Sequence, residues 1–362
     1  MTPARIAPRR RIAVALAAAA TLLAGCGGGA SDVPGGGRGD AETMLTLVAY
    51  AVPEPGWSTI IPAFAATPEG QGVGVTTSYG SSGDQSRSVV DGKSADIVNF
   101  SVEPDIARLV KADKVAADWN SGVTRGIPFG SVVALVVRPG NPKNIRGWDD
   151  LLTPGVEVVT PSPLSSGSAK WNLLAPYAAK SRGGADPRAG LDYITALVTE
   201  HVRTRPASGR EATDIFLRGT GDVLISYENE AIHTKRRGDA VDYLIPEQNF
   251  KIENPVAVVN TSTDKVAAKS FVDFLFTPRA QRLWAQTGFR PVVPEVVAET
   301  AHSFPGRIDR LWTIAELGKV LGAGTAAKND GTDLAGWQAV DAKLFGAKGA
   351  ITKIYNSTGG HS

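Results

Sequence analysis

The sequence predicts an α/β protein of two lobes with a ligand cleft between them. Three observations carry this. MLTLVAYAV, WSTIIPAFAA, GVGVTTSYG, Asp84 to Gly92 and ADIVNF read in turn as strand, helix, strand, helix and strand, the order that builds a parallel sheet with helices on its faces. The strand-then-helix signals fall into two groups, before and after about Ser131. Each group holds one Ser/Gly cluster joining a strand to a helix, YGSSGDQSRSVV (79–90) and VVTPSPLSSGSAKWNLLAPY (158–177).

The first strand is a short apolar run from Met44, and the first helix, Trp57 to Ala66, is interrupted by Pro62. GVGVTTSYG alternates as a strand does and runs straight into the first cluster. Gly70, Gly72 and Gly74 read as a turn, since no strand precedes them and no helix follows. Beyond Ser131, VVALVV (132–137) is a fully apolar strand, RPGNPKNI a turn, and WDDLLTPG a short helix ended by Pro154 and Gly155. VEVVT leads into the second cluster, and a helix follows around Leu191 to His201. GTGDVLISYENEA gives a turn and a strand ending in a polar run, and VAVV (256–259) a further strand. Lys265 to Trp284 reads as two helical pieces broken at Pro278, and the C-terminal third as helix, with Leu311, Trp312, Ile314, Leu317 and Val320 apolar.

The N-terminus stands outside this pattern. MTPARIAPRRR carries four arginines, and the apolar run IAVALAAAATLL is too short to span a bilayer; together they match an export signal. Leu23-Ala24-Gly25-Cys26 follows, and Cys26 is the chain's one cysteine. That placement resembles a bacterial lipoprotein signal, with Cys26 the lipid-modified first residue of the mature protein. Disulfides and cysteine-held metals are excluded from the mature domain. The Gly-rich stretch after Cys26 has nothing to bury and reads as a tether, reaching roughly 20–25 Å if it is a coil of about 17 residues.

At 362 residues the chain can bury a sizeable core, and 38 Lys+Arg against 36 Asp+Glu leave a net charge of +2, without the basic excess of a nucleic-acid partner. A secreted ester hydrolase is the competing class, but the Gly-x-Ser-x-Gly elbow is missing and only four histidines are present. His201 and His233 are the conceivable bases, and each reads as an exposed helix residue. No paired-histidine spacing supports a metal, and the glycine-rich loop of nucleotide binders is absent. A structural or adhesive lipoprotein would explain the tether but not the two clusters.

Those clusters have a chemistry of their own. Ser165 and Ser166 are good N-cap residues, and the first-turn N–H groups beyond Gly167 point at whatever sits before them. Two such mouths facing each other would hold a tetrahedral dianion through fixed N–H and hydroxyl donors, each helix dipole adding roughly 0.3–1 kcal/mol.

VEVVTPSPLSSGSAKWNLLAPY, YGSSGDQSRSVVDGKSADIV, VVRPGNPKNIRGWDDLLTPGV, RGTGDVLISYENEA and GFRPV stand in the order and spacing that resemble the bacterial sulfate-binding proteins of ABC transporters, over about Leu45 to Asp309. The resemblance implies the two-lobed periplasmic-binding-protein type II fold, no enzyme activity, no cofactor and no metal. It implies a monomer that carries a sulfate ion to membrane permease and ATPase subunits, with a lipid on Cys26 as its membrane contact. The expected organisation is a signal peptide over 1–25, a tether over 26–43, lobe one from 44–130 with 256–315, lobe two from 131–255 with 316–356, and a frayed tail over 357–362.

Carried over by motif, Ser82 and Ser166 donate hydroxyls, Gly167, Ser168 and Ala51 give N–H groups, and Ser208 gives one more. Tyr227 stands where the family has tryptophan, so a phenol replaces an indole N–H as donor. Lys170 stands at a family arginine, and Asp105 at a family position across the cleft; a link between them in the closed form is expected. A site made only of donors suits sulfate, which carries no proton at neutral pH, whereas hydrogen phosphate needs an acceptor. Asp84 is the nearby carboxylate that keeps phosphate as an alternative, alongside thiosulfate and molybdate.

Overall fold

The computed structural model describes residues 31–33, 41–323 and 336–358. The expectations for the export signal and for Cys26 lie outside the described residues, as do residues 359–362 of the expected frayed tail, while its first residue, Ser357, ends a helix. Within the span expected as a tether, β1 (Ser31–Val33) pairs antiparallel with the edge of a sheet. An open edge offers unpaired N–H and C=O groups to such a segment.

The first lobe grows from β2 (Thr43–Tyr50), α1 (Glu54–Ala65), β3 (Val73–Gly80), α2 (Ser82–Val90), β4 (Ile97–Asn99) and α3 (Glu103–Lys111). β2 lies between β3 and β4, parallel to both. It is buried from Leu45 and again from Leu47 to Tyr50, which is why it reads as an apolar run rather than an alternating one. Pro62 sits inside α1 without breaking it, near the last turn.

The chain then crosses over. β5 (Phe129–Ser131) leads into β6 (Val133–Val137), β7 (Val158–Val159), α4 (Gly167–Lys180), α5 (Pro187–Ala196), β8 (Val202–Thr204), α6 (Gly209–Leu217), β9 (Val223–Tyr227), α7 (Glu228–Arg236) and β10 (Asp242–Leu244). The second sheet has the order β10-β6-β9-β7-β8 and is mixed, with β7 parallel to β8 and β9 but β6 antiparallel to β9. The return runs through β11 (Gln248–Phe250), β12 (Ile252–Asn254) and β13 (Val256–Val258). β12 pairs with β5 as a two-stranded ribbon, and β13 closes the first sheet beside β4, giving the order β1-β3-β2-β4-β13.

After β13, α8 (Lys265–Phe274) and α9 (Pro278–Gln286) break at Pro278. They pack on α1 through a cluster of Trp57, Phe129, Phe271, Trp284 and Phe289, with Trp57 and Trp284 edge to face at 4.9 Å. α10 (Pro294–Thr300) precedes β14 (Arg310–Trp312), followed by α11 (Ile314–Gly322), α12 (Trp337–Val340) and α13 (Ala350–Ser357). Leu311 and Trp312 are therefore strand residues, paired with Asn249 and Phe250, not helix as the apolar spacing implies. A capping box of Thr313 and Glu316 starts the helix only at Ile314.

Candidate anion-binding site

The N-termini of α2 and α4 meet between the lobes. The Gly83 N–H, in the first turn of α2, donates to the Ser165 carbonyl at 3.0 Å, just ahead of α4. Ser166 caps α4, its Oγ accepting from the Ala169 N–H at 3.4 Å, which leaves its hydroxyl hydrogen for another acceptor. Gly167 follows with no room for a side chain: a Cβ there would stand 2.7 Å from Ser101 Cβ and 3.1 Å from Ser82 Cβ. Ser168, buried, lies against a third helix mouth, that of α6, where a Cβ on Gly209 would be 3.2 Å from Ser168 Oγ. Three helix starts thus converge on one spot, each with N–H groups outside the helical ladder.

Several expected donors have other partners. The Ser82 hydroxyl donates to buried Asp105 at 2.6 Å and accepts from the Ser101 N–H at 3.0 Å. A carboxylate in reach takes the hydroxyl hydrogen, so the Ser82 side chain is engaged by Asp105. The Ala51 N–H continues the β2–β3 ladder, donating to the Gly80 carbonyl at 3.0 Å. Ser208 caps α6, with Oγ accepting from the Glu211 N–H at 3.2 Å, and the buried neighbour Gly209 is the one facing Ser168 and Val52.

Tyr227 ends β9 at the start of α7, fully enclosed, with its hydroxyl 2.8 Å from Ser101 Oγ. Burial pushes the phenol well above its ordinary pKa, against the pull of hydrogen bonds from Ser101, Ser168 and Asn254, so it stays protonated and neutral. In the first turn of α7, Glu230 is buried beside Arg210 (3.1 Å) and accepts from Thr213 Oγ1 at 3.0 Å. Burial raises the Glu230 carboxyl, with Arg210 pulling the other way. Arg210 also reaches across the lobes to the Val52 carbonyl at 3.2 Å. The Tyr50 hydroxyl and Arg210 Nε are buried without a hydrogen-bond partner.

The expected Asp105–Lys170 link is not formed. Asp105 is taken by Ser82 and by Arg108 at 2.8 Å, and Lys170 donates to Asp341 at 2.8 Å beneath the Phe345 ring. A charged pair across the lobes does exist near the ribbon, where Arg290 grips fully buried Glu228 through two bonds of 2.6 and 3.0 Å. Asp84 is exposed and held by Ser81 and Arg87. His201 is buried, with Nδ1 2.9 Å from the Val156 carbonyl, and His233 is half-buried, so neither is the exposed helix residue expected. Among the described residues no group of three or more His, Cys, Asp or Glu could hold a metal.

Ser101 and Gly209 are the residues that motif reading missed. Ser101 stands directly past the ADIVNF strand, where ligands of open α/β sheets gather, and that rule alone would have pointed to it. Gly209 lacks such a signal, because Ser208 has the stronger capping chemistry.

The model of the family described as bacterial extracellular solute-binding protein matches residues 45–290. A sulfate-binding protein of Synechococcus elongatus is 40% identical over 356 residues, covering 96% of each chain. A thiosulfate-binding protein of Pseudomonas aeruginosa is 32% identical, covering 75% of this chain and 85% of its own. Among solved structures, the sulfate-binding protein SubI of Mycobacterium tuberculosis is 63% identical with a TM-score of 0.78, covering 84% of this chain and 100% of its own. A periplasmic binding protein called P5PA, 20% identical with a TM-score of 0.59, shares the fold. On the family match and the relatives together, this chain belongs to the bacterial extracellular solute-binding protein family.

Proposed function

We infer that the chain captures one sulfate ion in the cleft between its lobes and hands it to the permease of an ABC importer. The observation that carries this is the meeting of α2, α4 and α6, joined across the lobes by the Gly83 N–H and Ser165 carbonyl. The site it forms holds backbone N–H groups of Ser82, Gly167, Ser168 and Gly209, the hydroxyl of Ser166 and the Tyr227 phenol, all neutral donors. Sulfate accepts from every one of them, while hydrogen phosphate would present protons to donors. Asp105 does not serve as the missing acceptor, because Ser82 and Arg108 occupy it. Relatives named sulfate-binding support the same ion.

Thiosulfate is the second reading, favoured by the relative named for it. Hydrolysis is disfavoured by the serines themselves: Ser82 pairs with Asp105 and Ser101 with Tyr227, not with a histidine. Lobe one is taken as 44–130 with 256–315 and lobe two as 131–255 with 316–356, the crossings falling at the β5–β12 ribbon. Cys26 is taken as the lipid-bearing first residue, which anchors a monomer to the outer face of the cytoplasmic membrane. Mass spectrometry of the mature N-terminus tests the anchor, and competition of thiosulfate, molybdate and phosphate against bound sulfate tests the ion.

A further inference from the structure

The Tyr227 phenol has one hydrogen to give, and its direction decides what the cleft offers an ion. The phenol oxygen lies 2.8 Å from Ser101 Oγ, and both side chains are buried. Ser101 is pinned on three sides. Its carbonyl accepts from Trp171 Nε1 at 2.7 Å and from Asn254 Nδ2 at 2.9 Å, and its N–H is given to Ser82 Oγ at 3.0 Å. Its Oγ stands 3.1 Å from where a Gly167 Cβ would be, which puts the hydroxyl pair at the first turn of α4.

A phenol is a stronger acid than an alcohol, so of the two it is the better donor to the strongest acceptor in reach. With a dianion before α4, that acceptor is the ion. Ser101 is then left to donate to the phenol oxygen, and a chain of two bonds running toward a charge polarises along its length. The Ser101 hydroxyl belongs to the lobe carrying β4, and Tyr227 to the lobe carrying β9.

We propose that Ser101 is a positioning residue for the anion: by donating to Tyr227 from the opposite lobe it turns the Tyr227 hydrogen toward the ion. The Tyr227 donor is therefore complete only when the lobes are shut, which ties this contact to closure. The inference rests on the sulfate reading above. The upward shift of the phenol, offset by bonds from Ser101, Ser168 and Asn254, accords with an oxygen that receives hydrogen bonds.

The test is calorimetric titration with sulfate of the ion-stripped protein and of Ser101→Ala, Tyr227→Phe and the double variant. Each single variant is expected to bind about 10- to 100-fold more weakly, the worth of one hydrogen bond to a charged group. The double variant is expected to be no weaker than either single one, because the two hydroxyls act as a unit. Ser101→Cys keeps a weak donor in nearly the same volume and is expected to recover part of the affinity. The melting temperature of the ion-free Ser101→Ala protein should match the wild type, since the backbone bonds of Ser101 remain. Additive losses in the double variant, wild-type affinity in Ser101→Ala, or Ser101→Cys binding no better than Ser101→Ala would each overturn the proposal and leave the sulfate reading standing. A wild type that does not bind sulfate would overturn that reading and the proposal with it.

Discussion

Replacing Gly167 by Ala should block closure without harming the fold. The new Cβ would sit 2.7 Å from Ser101 Cβ, and 3.1 Å from both Ser101 Oγ and Ser82 Cβ. Carbon atoms settle at about 3.5–4.0 Å, so the overlap with Ser101 approaches 1 Å. Ser101 itself is held by three backbone bonds and has little freedom to retreat. Forcing a methyl into such packing costs about 1–3 kcal/mol, which is roughly 5- to 150-fold in affinity. Both clashing residues lie in the lobe opposite α4, so the open protein does not feel them. Gly167 does not have a left-handed φ, and alanine is the better helix former, so the ion-free melting temperature should hold or rise. Titration calorimetry and scanning calorimetry on the same preparation separate the two effects. An affinity equal to wild type, or a loss of affinity matched by a loss of melting temperature, would refute the reasoning.

Other predictions follow from the charged groups. Lys170→Ala should leave sulfate affinity within twofold of wild type and cost about 1 kcal/mol of stability, because Lys170 serves Asp341 and not Asp105; a measured loss of affinity would restore a role for it in closure. Arg290→Ala should lower the urea-unfolding free energy by about 3 kcal/mol, since fully buried Glu228 is left without its partner; a change under 1 kcal/mol would contradict this. Glu230 is raised in the folded state by burial, so the folded protein holds that proton more tightly than the unfolded chain. Its contribution is present below the ordinary carboxylate pKa, about 4.3, and is lost as pH rises through the raised native value. The stability of the wild type relative to Glu230→Gln should therefore fall as pH rises above the ordinary carboxylate value, as read by urea unfolding at several pH values; a difference that grows with rising pH would reverse the sign.

The parts of this fold that local chemistry controls are legible in the residues. MLTLVAYAV is a strand because both its faces are buried, and Pro278 separates α8 from α9 because proline cannot continue a helix. Ser166 announces the mouth of α4 because capping is a local matter, whereas α2 starts at its cluster with no side-chain cap from Ser81. The choice of partner is not local. Ser82 loses its hydroxyl hydrogen to Asp105, 23 residues away, and Tyr227 meets Ser101 across 126 residues. Lys170 turns to Asp341, 171 residues on, through a C-terminal helix whose docking no motif announces. Trp312 reads as part of an amphipathic helix, yet pairing with Phe250 holds it extended. Those outcomes are settled by which surfaces meet when the lobes assemble, and a spacing pattern carries no record of that.

The central claim is that the three helix mouths hold one unprotonated dianion. Titration calorimetry of ion-stripped protein with sulfate at pH 7, repeated with hydrogen phosphate, tests it most directly. One sulfate per chain, with hydrogen phosphate bound at least about 100-fold more weakly, is the result the donor-only site predicts. Equal binding of the two ions, or no binding of sulfate, would contradict it.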